Sequence, residues 1–257
     1  MRPKVIIFGD SITEESFGEG GWGAALANYF SRTADVVLRG YSGYNTRWAR
    51  KVIERAFENL VGEKNDGSSN AAADGCADDG GREQAPLAVT VFFGANDACL
   101  PDRSSAFQHV PLPEYQLNLH AILSFLKKRW PSTLVILITP PPIDEDGRLR
   151  HPYGENPSGL PERTNEAAGA YAKSCVSVAM EVSIPVVDLW SKMQEFSGWE
   201  KAFLRDGLHL TPDGNKIVFE NLVEILRHRG VSPEVLPADL PLLSQIDPGD
   251  PLKSFDI

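Results

Sequence analysis

Positive charge is scarce in this 257-residue chain: 25 lysines and arginines face 35 aspartates and glutamates, a formal net charge of −10. That balance argues against non-specific nucleic-acid binding, which needs cations to displace phosphate counterions, and it disfavours docking on anionic membranes. Long apolar runs are also missing. No stretch approaches the roughly 18 residues of a bilayer span, so no stable membrane insertion is expected. The run Val5-Ile6-Ile7-Phe8 is too short for the apolar core of a signal peptide. Cysteine is limited to Cys76, Cys99 and Cys175, too few and too far apart for a disulfide framework or a zinc site. A reducing, cytoplasmic setting is expected. A homo-oligomer is left open.

What is present suits a globular fold with a sizeable core, at 42% hydrophobic and 23% charged residues. Apolar runs at Lys4–Phe8, Val36–Leu38, Leu87–Phe93, Leu134–Ile138 and Pro185–Leu189 predict five strands. Between them, apolar residues recur with a helical period over Gly23–Phe30, Thr46–Val61, Pro113–Trp130, Pro161–Val182 and Thr211–Arg229. Alternating strands and helices imply a mostly parallel sheet covered on both faces. The segment 62–85 is acidic, rich in Gly, Ser and Ala, and nearly free of large apolar residues. It cannot bury enough surface to offset its ordering entropy and is expected to be a flexible insertion. The Pro-rich stretch 231–257 is expected to be an extended tail lying across a single domain of residues 1–230.

In such a sheet ligands gather beyond the carboxyl ends of the strands. Gly9-Asp10-Ser11 follows strand one, a loop containing Gly43 follows strand two, and Gly94-Ala95-Asn96-Asp97 follows strand three. All three should open on one edge. A serine hydroxyl is a weak nucleophile until a base takes its proton. Of the five histidines, His120 and His228 sit in helical patterns and His109 and His151 in Pro-rich loops. His209 stands three residues after Asp206, just ahead of a helix capped by Thr211. That spacing lets Asp206 orient the imidazole toward Ser11. The backbone N–H groups of Ser11 and Gly43 and the amide of Asn96 are candidate donors to an oxyanion. Taken singly, each of these pieces also reads as an ordinary turn or cap.

Together, Gly9-Asp10-Ser11, the Gly43 loop, Gly94-Ala95-Asn96-Asp97 and Asp206-x-x-His209 resemble the four blocks of the SGNH (GDSL-type) serine esterases, in that family's order. The strings FGEGGWGAAL, LRGYSGYNT, FFGANDA, HVPLPEY and TPPPIDE are similar to its isoamyl acetate-hydrolysing branch. The resemblance spans residues 4–228. It implies a three-layer α/β/α sandwich around a mostly parallel five-stranded sheet, no metal and no cofactor. It further implies Ser11 as nucleophile, His209 as base, Asp206 as its orienting acid, and Ser11, Gly43 and Asn96 as the oxyanion hole. Asp10 and Asp97 are expected to be structural. The substrate it implies is a small ester, short-chain acetates first, with O-acetylated glycans as the alternative. Segment 62–85 departs from the family, which generally lacks it or keeps it short.

Two other classes compete. A metal-dependent phosphoesterase would use Asp10, Asp97, Asp206 and His209, but no second histidine lies near any motif. A binding protein on an inactive esterase fold would not need every signature position filled. Phe17, Trp22, Tyr44, Trp48 and Phe107 are candidate pocket aromatics, with core packing the expected role of both tryptophans.

Overall fold

The computed structural model describes residues 2–58 and 85–255; apart from Ala85, the expected insertion 62–85 lies outside the described residues, as does Cys76. Five strands form the sheet: β1 (Lys4–Gly9), β2 (Asp35–Gly40), β3 (Ala88–Phe92), β4 (Leu134–Ile138) and β5 (Val186–Val187). Their order is β2-β1-β3-β4-β5, and every pairing is parallel.

Strand alternation sorts the core into two halves. Val5, Ile7, Ala88, Phe92, Ile136 and Ile138 face one side; Ile6, Phe8, Val89, Val91, Val135 and Leu137 face the other. Both sets are buried, which is why the strands read as unbroken apolar runs rather than as alternating ones. The helices are α1 (Ser11–Glu14), α2 (Trp22–Tyr29), α3 (Thr46–Ala56), α4 (Leu112–Arg129), α5 (Glu145–Arg150), α6 (Asn165–Glu181), α7 (Leu189–Gln194), α8 (Trp199–Ala202) and α9 (Pro212–His228). The first face is covered by α2, α7 and α9, the second by α3, α4 and α6. This is the expected three-layer α/β/α sandwich. Val218, Leu222 and Leu226, one α9 stripe, are fully buried against the sheet. Each such side chain contributes about 1.5–3 kcal/mol over its exposed state.

Helix ends follow local chemistry. Thr211 Oγ1 accepts the Gly214 N–H at 3.2 Å, and Pro212 occupies the first turn, where its missing N–H costs nothing. The helix expected from Pro161 starts at Asn165 instead, because Thr164 Oγ1 caps the Ala167 N–H at 3.2 Å. Glu162 and Arg163 are thereby left outside the helix and free to turn inward. The tail reaches back across the first face: Asp239 bridges Arg2 at 2.6 Å and Arg32 at 2.9 Å. No helix among the described residues is long and apolar enough to cross a membrane.

β1 hydrogen-bonds β2 on one side and β3 on the other, so the chain reverses its direction of travel through the sheet at this point. Crossovers leave in opposite senses there and open a crevice at the carboxyl ends of β1 and β3.

Candidate active site

Three strand ends build one wall of that crevice. A Cβ on Gly9 would collide with Thr13 Oγ1 and lie 2.6 Å from the Phe92 carbonyl oxygen, so only glycine lets α1 fold back this closely. Asp10 caps the short helix, its Oδ1 accepting the Ile12 N–H at 3.0 Å. Ser11 opens α1, so its own N–H has no acceptor within the helix. After β2 the chain turns at Gly43, whose φ of +77° is left-handed and favours glycine. Asn45 then caps α3 by accepting the Trp48 N–H at 2.9 Å. After β3, Asn96 donates through Nδ2 to the Tyr44 carbonyl at 2.9 Å, which joins the second and third loops. Asp97 is fully buried and accepts the Thr46 N–H at 3.0 and 3.1 Å as well as the Thr46 hydroxyl.

The opposite wall is the loop between α8 and α9. Leu204 and Leu210 form an antiparallel bridge, and Arg205 N–H donates to the His209 carbonyl at 2.9 Å, pinching the loop shut. Inside it, Asp206 Oδ1 accepts the N–H groups of Leu208 at 3.0 Å and His209 at 2.8 Å, while Oδ2 lies 2.7 Å from His209 Nδ1. Burial alone would raise the Asp206 pKa. The bond to His209, the charge of its imidazolium and the two backbone N–H groups outweigh burial and hold the carboxyl well below the usual range. A charged carboxylate only accepts, so Nδ1 carries the imidazole proton. The Nε2 lone pair then faces Ser11 Oγ, 3.0 Å away across 198 residues of sequence.

This arrangement can withdraw the hydroxyl proton and stabilise the imidazolium that results. A cavity of about 110 Å³ opens over Ser11 and His209, with Gly43 and Asn96 in its lining.

The GDSL-like lipase/acylhydrolase model matches residues 5–222, most of the chain. The chain belongs to that family. A GDSL esterase/lipase of Arabidopsis thaliana is 60% identical over 100% of this chain and 99% of its own length. The isoamyl acetate-hydrolyzing esterase 1 homolog of Mus musculus is 39% identical, covering 98% of this chain and 91% of its own. Among solved structures, a lipase/acylhydrolase from Enterococcus faecalis superposes with a TM-score of 0.65 at 22% identity, over 94% of this chain and 100% of that one; it shares the fold. The chain is thus a carboxylic ester hydrolase of the GDSL type.

Within this GDSL hydrolase, the predicted residues Ser11, Gly43, Asn96, Asp206 and His209 converge on one cavity or its immediate support. Asp10 and Asp97 turn inward to backbone N–H groups. Burial, the dominant influence on both, pushes their carboxyls up to about 7. Among the described residues no three His, Cys, Asp or Glu side chains are grouped to hold a metal ion. Three other histidines have partners of their own: His120 pairs with Glu181 at 3.0 Å, His228 bonds the Glu224 carbonyl at 2.8 Å, and His109 bonds the Cys99 carbonyl at 2.6 Å.

The expected pocket aromatics need correction. None of Phe17, Trp22, Tyr44, Trp48 and Phe107 lines the cavity; Tyr153 and Leu208 do. Trp22 is fully buried under the sheet, its Nε1–H donating to the Ile12 carbonyl at 3.2 Å. Tyr44 packs edge-on to Trp48, and Trp48 stacks on Phe107, which remains exposed at the surface.

Sequence reasoning missed Gln108, Arg148, Glu162 and Arg163. Glu162 Oε1 accepts from Arg148 Nε at 2.8 Å and from Arg163 Nη1 at 2.7 Å, and all three side chains are buried. Arg148 Nη1 donates to the Asp206 carbonyl at 3.0 Å. The only signal in the sequence is positional: Glu162-Arg163 immediately precedes the Thr164 cap.

Proposed function

We propose that this chain hydrolyses small carboxylic esters, short-chain acetates first, through a Ser11–His209–Asp206 triad and an acyl-enzyme. The observation that carries the reading is the aligned pair of contacts, Ser11 Oγ to His209 Nε2 at 3.0 Å and His209 Nδ1 to Asp206 Oδ2 at 2.7 Å. Ser11 Oγ attacks the ester carbonyl carbon as its proton passes to Nε2. The tetrahedral oxyanion takes hydrogen bonds from the Ser11 and Gly43 N–H groups and from Asn96 Nδ2–H. When the carbon–alkoxy bond breaks, the alcohol leaves with the proton held on Nε2. Water then adds to the acyl-enzyme, giving its proton to Nε2. The Ser11–acyl bond breaks, the carboxylic acid departs, and Oγ recovers the proton. Asp206 stays charged throughout, because its environment already favours the anion.

Two findings support a small acyl group. The cavity over Ser11 is small, about 110 Å³. The mouse relative is named for isoamyl acetate.

The test is turnover of 4-nitrophenyl esters of increasing acyl length, with Ser11→Ala as control. Acetate should be the best of the series. Ser11→Ala should lower kcat at least about a thousandfold with the melting curve unchanged. Retained activity in that variant removes the nucleophile from the scheme.

A further inference from the structure

A guanidinium stands within the strand-end wall, where Arg163 and Gln108 both line the cavity beside Asn96. Arg163 has a side chain only 4% exposed and spends its donors on four acceptors. Nε reaches the Ala95 carbonyl at 2.9 Å, and Nη1 reaches Glu162 Oε1 at 2.7 Å. Nη2 is shared between Asn96 Oδ1 at 2.9 Å and Gln108 Oε1 at 3.1 Å. Gln108 in turn donates from Nε2 to the Gly43 carbonyl at 2.9 Å.

We infer that Arg163 is a positioning residue that sets the donor polarity of the oxyanion hole, acting through Asn96 and, by way of Gln108, through Gly43. The inference rests on the proposed reading of Ser11, Gly43 and Asn96 and extends it to what holds them.

The physical argument is one of donors and acceptors. A guanidinium carries N–H donors and no acceptor, so whatever faces it must be oxygen. Asn96 therefore turns Oδ1 to Arg163 and Nδ2 the other way. One Nδ2 hydrogen goes to the Tyr44 carbonyl, which can only accept. The second is left for the cavity that Asn96 lines. Turned over, the same amide would set NH₂ against a buried guanidinium and its oxygen against the nascent oxyanion, two repulsive contacts in place of two attractive ones. The charge also polarises the amide, so its remaining N–H becomes a stronger donor.

Gln108 obeys the same logic one step further out. Its oxygen faces Arg163, so its NH₂ faces Gly43 and steadies the left-handed turn that aims the Gly43 N–H. A planar fork is needed to serve Asn96, Gln108 and Ala95 together; the single ammonium of lysine does not match it. Burying such a charge is costly, and Glu162 offsets it.

The experiment is a double-mutant cycle read as kcat and KM on 4-nitrophenyl acetate. Asn96→Ala should lower kcat about 10²–10³-fold, the usual effect of losing one oxyanion donor. Arg163→Lys and Arg163→Met should each lower kcat by about 10²-fold at nearly unchanged KM, for the same reason. The acid limb of the kcat/KM profile should not move in Arg163→Lys, which keeps a cation beside Glu162 and so leaves Arg148 in place 3.5 Å from Asp206 Oδ2. In the Asn96→Ala background the Arg163 substitutions should cost no more than Gln108→Leu does there, since only the Gly43 branch is left to lose. Gln108→Leu, which leaves the guanidinium in place, should slow turnover less than either Arg163 variant and keeps the test open if Arg163→Met fails to fold.

Losses that multiply across the cycle overturn this inference and leave the oxyanion reading intact. Wild-type kcat in Asn96→Ala overturns both. A shifted acid limb in Arg163→Lys would mean action through Asp206 and His209, and also overturns it.

Discussion

The two walls of the crevice treat their acids in opposite ways. On the strand-end wall, Asp10 and Asp97 are fully buried, and burial pushes both carboxyls up to about 7. On the loop wall, Asp206 is partly open to solvent and is held well below the ordinary range by His209 and two backbone N–H groups. All three are aspartates at the same edge of the same sheet. What separates them is the set of partners: Asp10 and Asp97 bond the backbone of turns, whereas Asp206 also bonds the His209 imidazole. The strand-end wall buries its acids to hold backbone in place, and the loop wall keeps an acid charged to supply a field.

The largest test of that contrast is Asp206→Asn. The amide would favour the wrong imidazole tautomer, and kcat on 4-nitrophenyl acetate should fall about 10⁴-fold with the fold retained. Next is Gly43→Ala on the opposite wall. A left-handed φ costs a residue bearing Cβ about 1–3 kcal/mol, readable as a lower melting temperature, and turnover should fall as the N–H swings off aim.

The smallest effect, and the sharpest on the comparison, is in the pH dependence of unfolding. The Asp206 pKa is lowered in the native state, so its stabilisation is complete above the unfolded value of about 4 and is lost as pH falls below it. The Asp97 pKa is raised to about 7. Between about pH 4 and 7 the native state keeps a proton that the unfolded chain releases, so stability falls as pH rises through that window. Asp97→Asn should make this decline shallower in urea-unfolding midpoints, leaving the part that Asp10, also raised to about 7, contributes, with kcat close to wild type. An unchanged slope would mean that Asp97 is charged in the native protein.

The strands and the long helices were legible because burial on both sheet faces leaves runs of apolar residues, and α4 and α9 keep a clear period. The short helices α1, α5, α7 and α8, of four to six residues, were not. A single turn carries no period; it exists because caps such as Asp10 and Asp188 and the surrounding packing hold it. Ser11, Gly43, Asn96, Asp206 and His209 could be placed at one sheet edge because each follows a strand or precedes a capped helix, and the resemblance to the SGNH blocks singled them out among many such turns. Arg163 and Gln108 were not: a charged or amide side chain in a loop reads as solvated surface, and only the folded chain turns it inward. The aromatic expectation failed for a related reason. Composition counts rings near a motif but does not say which of them stack on one another.

The contact between Ser11 and His209 spans 198 residues. A ribosome that has just delivered the hydroxyl must add nearly the whole sandwich before the imidazole emerges, and α9 must then dock for the loop ahead of it to settle. On the proposed role of Ser11, reactivity toward a serine-directed phosphonate would report completed folding rather than mere synthesis of the hydroxyl.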